Sequence, residues 1–176
     1  MWAYWLLFLV PAGIAFKSIK IDKNIDHMLW VMIGVLGILL IGLRYEVGAD
    51  WTNYLIYLDQ ARGSDFSKIL IVGNANGSLY MLINWAVQQI GLEIYTINLI
   101  CGACLMVGLI KYCQKQPIPW LALAVAMPYL VCVVAMGYTR QAAALGFIFW
   151  GLSILKAGNE RKFLGLVMLG SLFHLS

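Results

Sequence analysis

The chain has 176 residues, 62% of them hydrophobic and 11% charged, with a mean hydropathy of +0.84. A soluble domain is about 45–50% apolar and about 25% charged, so there is too little polar surface here to cover a globule, and the composition is that of an integral membrane protein. The net charge of +4 is carried by basic residues scattered singly at the ends of apolar runs. That pattern sets orientation in a bilayer and shows no nucleic-acid footprint.

The N-terminal run, MWAYWLLFLVPAGIAF, lacks a basic n-region and a small-residue cleavage site. It reads as a retained span over about 2–16 rather than a signal peptide. Further apolar spans are expected at about 28–43, 94–110, 118–136 and 141–155, with another beginning at 163. A sixteen-residue helix is about 24 Å long, a little short of the ~30 Å hydrocarbon core, and interfacial Trp30 and Tyr45 make up the difference. The segment 77–91, GSLYMLINWAVQQIG, is ambiguous. It is short, it carries Asn84, Gln88 and Gln89, and it reads as a span, a re-entrant helix or an interfacial one. Asn84 and Gln88 are one helical turn apart and share a face. The final run ends at Ser176 after about fourteen apolar residues, where a span needs about 20. The expectation is a truncated chain or a fragment. The fold class is therefore an all-α polytopic transmembrane bundle of about 6–7 spans, the last incomplete. It forms one transmembrane domain over 1–176, with 44–76 as the main extracytoplasmic loop.

Basic residues choose a topology. If 77–91 does not fully cross and the 17–27 loop is cytoplasmic, Lys17, Lys20, Lys23, Lys111, Lys115, Lys156, Arg161 and Lys162 lie inside. Only Arg44, Arg62, Lys68 and Arg140 then lie outside, a split of eight to four. Letting 77–91 span reverses that split, so the first arrangement obeys the positive-inside rule better. It puts Arg44, Asp50 and Arg140 on one outer side and carries the last helix, with His174, toward that side.

Ionisable residues at membrane spans are costly and are functional candidates by default. Arg44 and Arg140 each abut an apolar helix and read either as snorkelling interface arginines or as ligand-binding ones. Arg140, in GYTRQAAALG, precedes Ala142, Ala143, Ala144 and Gly146. Small residues there allow close helix packing and would leave space for a ligand. Two outward arginines point to an anionic ligand, because a guanidinium fits phosphate oxygens in pairs. Asp50 is a candidate base or hydroxyl acceptor, or else a partner of Arg44 or a cap for a helix starting at Trp51. Glu46 is expected to pair with a neighbouring arginine. Trp51 and Tyr54 suit sugar rings, although interfacial belts use the same residues. His27 reads as a solvated helix-start residue. His174, in an apolar helix, reads as a packing histidine or as a catalytic one. CGAC at 101–104 has redox or metal spacing but no second pair and no His ligands, so it reads as small residues on one helix face, with no metal and no cofactor expected.

Four blocks in order then carry a resemblance: GLRYEVGADWTNYL, GSLYMLINWAVQQIG, YTRQAAALGFIFWGL and LGSLFH. Together they resemble the EpsG family of bacterial polysaccharide-biosynthesis membrane proteins, which are Wzy-like polymerases. The family pattern maps onto Arg44, Gly48, Asp50, Trp51 and Tyr54, onto Tyr80 and Asn84, onto Arg140 and Gln141, and onto Phe173 and His174. Members are roughly twice this long, so the resemblance covers a first half. Many carry a glutamate before the glycine at the position of Gly77, and this chain does not. The resemblance implies transfer of a growing glycan from polyprenyl-pyrophosphate to a sugar hydroxyl on a second lipid-linked unit, at the outer face of the bacterial inner membrane. Arg44 and Arg140 would hold the pyrophosphate, and Asp50 or His174 would take the acceptor proton, with Trp51, Tyr54, Gln141 and Asn84 binding substrate. The implied partners are the polyprenyl-pyrophosphate-linked oligosaccharide, the lipid bilayer and other polysaccharide-assembly membrane proteins. Competing readings are a transporter or flippase of the same glycan, another membrane transferase such as a ligase or acyltransferase, and an inactive remnant.

Overall fold

A computed structural model describes residues 2–17, 21–156 and 158–174. Lys20 and Ser176 lie outside the described residues. The described residues form helices and connecting turns. They are α1 (Trp2–Lys17), α2 (Lys23–Gly42), α3 (Trp51–Ala61), α4 (Phe66–Asn76), α5 (Ser78–Gln89), α6 (Ile94–Cys113), α7 (Pro119–Ala126), α8 (Thr139–Ile154) and α9 (Glu160–Ser171). A π-helical segment, Met127–Ala135, continues α7.

Local chemistry explains several boundaries. Asp22 caps α2, its carboxylate accepting the Asn24 N–H at 2.9 Å, the usual way to satisfy a first-turn donor. Pro119 opens α7, where its missing N–H costs nothing. Pro128, with no N–H for an α ladder, sits at the second position of the π segment.

Two helices, α2 and α6, have twenty residues each and are long and apolar enough to cross a membrane. At ~1.5 Å per residue each reaches about 30 Å. They run antiparallel: Gly42 lies against Leu99, Gly102 against Ile41, Gly37 against Met106 and Gly34 against Ile110. The opposite face of α2 exposes Met28, Val31, Met32, Val35, Leu36 and Leu39, an apolar stripe suited to lipid. α8 packs on α6 through Gly108 and Gly146, where a Cβ on either would drive into a backbone carbonyl of the other helix. The small residues of α8 were expected to allow close packing and to leave ligand space. They do the first only, because Ala142, Ala143 and Ala144 are buried in the helix contacts.

Since α2 and α6 are antiparallel neighbours, the chain between them leaves and returns at the same end of the bundle. Residues 44–76, expected as the main extracytoplasmic loop, carry α3 and α4, of eleven residues each. α5, of twelve residues, is about 18 Å long and too short to cross. It folds back on α4: the Phe66 and Trp85 rings lie 5.6 Å apart, and Trp85 Nε1 donates to Ser64 O at 3.1 Å. Gly77, at φ +95°, makes the turn.

The last helix also differs from expectation. α9 stops at Ser171, so His174 lies beyond it rather than within an apolar helix. Its end is tied to α5, with Leu79 N–H donating to Leu172 O at 3.0 Å. A Cβ at Gly77 would collide with the Phe173 carbonyl, so only glycine admits that contact.

Two apolar clusters result. One joins Leu7, Trp30, Leu109, Trp120, Leu123 and Met127. There Trp30 and Trp120 stack at 4.1 Å and Trp120 Nε1 donates to Asp26 at 2.9 Å. The other joins Trp51, Tyr54, Tyr80, Ile97, Ala143 and Phe173 at the opposite end.

Candidate functional site

The second cluster underlies the end of the bundle where α2, the π segment and α9 finish and α6 and α8 begin. The loop after α2 is shaped to fit it. Glu46 adopts a left-handed φ of 51° and Gly48 a φ of +106°. Gly48 presses against the Met136 carbonyl and Gly137, where a side chain has no room. Glu46 does not pair with an arginine. Its carboxylate instead raises the pKa of the neighbouring Tyr45 phenol.

Arg44 is buried, at 6% exposure. Its Nη1 donates to Ala135 O at 2.7 Å and to Ile41 O at 3.5 Å, and its Nη2 donates to Thr139 Oγ1. Asp50 is thus not its partner. Asp50 does stand at the start of α3, as expected of a cap, but its side chain makes no capping bond. It accepts instead from Asn53 at 3.3 Å and from the Tyr54 hydroxyl at 3.5 Å.

Arg140, in the first turn of α8, is half-buried beside tyrosines. Its Cζ lies 4.9 Å from the Tyr57 ring centroid and 5.9 Å from that of Tyr80. Tyr54, Tyr57 and Tyr80 form a trio with centroids 5.8–6.4 Å apart. Such guanidinium–ring contacts are worth about 0.5–2 kcal/mol. His174, half-buried, lies within electrostatic reach of both Arg140 and Asp50. Tyr54 feels the same two charges and lies near the start of α8 at Thr139 and Arg140. The four residues Asp50, Tyr54, Arg140 and His174, far apart in sequence, therefore share one neighbourhood.

The remaining expected residues are placed less openly. Trp51 is buried, its ring 6.2 Å from Tyr45 and 6.5 Å from Tyr95. Asn84 is fully buried and donates to Tyr80 O at 2.8 Å. Gln141 is exposed. Tyr57, Thr139 and Asn98 were not anticipated. Tyr57 shares a helix face with Tyr54, three positions earlier. Asn98 was visible as a lone amide in an apolar span, itself a signal. Cys101 and Cys104 are free thiols, the first buried. Among the described residues there is no cluster of three or more His, Cys, Asp or Glu side chains suited to a metal ion.

A helical, membrane-associated protein with an arginine-centred polar end is the class these features define. The model of the EpsG family matches residues 27–176, and the chain belongs to that family. It is thereby a membrane protein of polysaccharide biosynthesis. No curated protein and no solved structure matches it.

Proposed function

We propose that the chain is a multi-pass polysaccharide polymerase of the bacterial inner membrane, with the arginine-bearing end facing outward. It joins oligosaccharide units carried on polyprenyl-pyrophosphate. The acceptor sugar hydroxyl attacks the anomeric carbon of the donor glycan, the glycosidic bond forms, and the carbon–oxygen bond to pyrophosphate breaks. Arg140 holds and neutralises the leaving pyrophosphate, the electrostatic share of catalysis. Asp50 or His174 accepts the proton from the attacking hydroxyl. Arg44, committed to protein oxygens, acts from behind Arg140. The observation that carries this reading is a half-buried arginine against tyrosine rings at one end of a membrane bundle, with a histidine in electrostatic reach of it and of a carboxylate. Among the described residues, seven of the eleven basic ones, Lys17, Lys23, Lys111, Lys115, Lys156, Arg161 and Lys162, belong to the other end, which supports the orientation.

The test is a gel of surface and lipid-linked saccharide from a strain lacking the gene, complemented with wild type or with Arg140→Ala. Collapse of long polymer to single repeat units at the surface, restored by wild type alone, is expected. Loss of even single units from the surface would mark a transporter instead. Normal polymer with Arg140→Ala would overturn the assignment.

A further inference from the structure

Behind Arg140 lies a buried polar layer that neither packing nor solvation requires. Thr139 and Asn98 are fully buried and Arg44 nearly so. Arg44 donates to Thr139, and the Thr139 hydroxyl donates to Asn98 Oδ1 at 3.4 Å. A hydroxyl has one proton and a guanidinium has no acceptor, so the order Arg44 to Thr139 to Asn98 is fixed. The two carbonyls that Arg44 also engages, Ile41 and Ala135, belong to the last turns of α2 and the π segment. Such carbonyls have no partner within their own helices, and a cation at a helix C-terminus is favoured. One guanidinium therefore ties α2, the π segment and α8, and through Asn98 it reaches α6.

A buried charge is an expensive way to hold helices together, and apolar residues of similar volume often do it as well or better. The α6–α8 contact is already held by Gly108 and Gly146. Arg44 Nε and Asn98 Nδ2, both buried, have no hydrogen-bond partner, a further cost that calls for an explanation. The layer adjoins the site directly: Thr139 precedes Arg140 in the chain and stands within reach of Tyr54, which meets Asp50.

We propose that Thr139 and Asn98, with Arg44, are positioning residues that fix the first turn of α8 so that the Arg140 guanidinium stays beside Tyr57 and faces the reacting groups. This rests on the reading of Arg140 as the pyrophosphate-holding residue. The bracket does not touch substrate. It sets the angle from which Arg140 does, and a displacement of about 1 Å in such a group can cost about a hundredfold in rate.

The experiment reconstitutes the full protein in proteoliposomes with a lipid-linked repeat unit and measures polymerisation per folded molecule. Thr139→Val keeps shape and removes the hydroxyl, and is expected to lose about tenfold to a hundredfold in rate, with Thr139→Ser recovering most of it. The pair Arg44→Met with Thr139→Val removes buried charge and hydroxyl together. It is expected to fold and to stay as slow as Thr139→Val. Wild-type rate in Thr139→Val or in the folded double variant, or equal loss in the Val and Ser variants, overturns the proposal. Arg140→Ala separates the two claims. If it polymerises normally, the reading of the site falls. If it is inactive while Thr139→Val is normal, only the bracket falls.

Discussion

Arg44 and Arg140 look alike in sequence, since each stands beside an apolar helix at the same end of the bundle. The structure gives them opposite surroundings. Arg44 is sealed in, its two Nη groups donating to two helix-end carbonyls and a threonine hydroxyl. Arg140 is half-buried against tyrosine rings, with His174 in electrostatic reach. A guanidinium at a membrane surface thus serves in two ways. One satisfies backbone groups that lipid cannot, and the other, on the proposed reading, meets phosphate oxygens.

The sharpest way to break this comparison is to exchange the phenotypes. Arg44→Ala leaves the Ala135 carbonyl and the Thr139 hydroxyl without their donor, at about 1–3 kcal/mol for each buried group. The expected outcome is loss of folded protein, seen as a lower melting temperature in detergent and less protein in the membrane. Arg140→Lys is expected to do the reverse, keeping the fold while lowering polymer sharply, because an ammonium lacks the planar fork that binds phosphate oxygens in pairs. Arg44→Ala at wild-type stability with no polymer would make Arg44 the ligand contact, and the two roles would merge.

A smaller effect is expected at Gly48. Alanine there meets the Met136 carbonyl and must hold φ near +106°, a strain of order 1–3 kcal/mol. The loop would lift from the junction before α8, displacing Asp50 more than Arg140. Gly48→Ala is therefore expected to lower melting modestly and polymer length clearly, read on the same gel. Unchanged melting and polymer would mean that the loop can relocate without consequence.

Part of this was legible in the sequence, and the boundary has physical causes. α2 and α6 were readable because the long apolar runs 28–43 and 94–110 have few alternatives in a membrane protein. The gathering of Arg44, Asp50, Arg140 and His174 at one end followed from charge asymmetry alone. The helices of 51–89 were not readable as a unit. Each has only eleven or twelve residues, too few for periodicity to settle, and long-range contacts such as Phe66 with Trp85 decide how they fold back. The burial of Arg44 was hidden for the same reason. Its main partner, Ala135, is 91 positions away, and nothing local announces that contact. The end of α9 was misjudged because hydropathy continues through Phe173, while a hydrogen bond from Leu79 ends the regular structure.

The mildest prediction refines the Arg140 side. Tyr57 offers Arg140 a ring face, and the attraction belongs to the ring rather than to its hydroxyl. Tyr57→Phe is therefore expected to polymerise as wild type. Tyr57→Leu keeps apolar volume but loses the quadrupole, about 0.5–2 kcal/mol, or roughly two- to thirtyfold in affinity for the lipid-linked donor. Donor titration in proteoliposomes measures it. Equal loss in both variants would assign the effect to the hydroxyl, making Tyr57 a polar contact for sugar or phosphate. No loss in either would mean that Tyr80 and Tyr54 suffice to hold the guanidinium, and the ring trio would shrink to a pair.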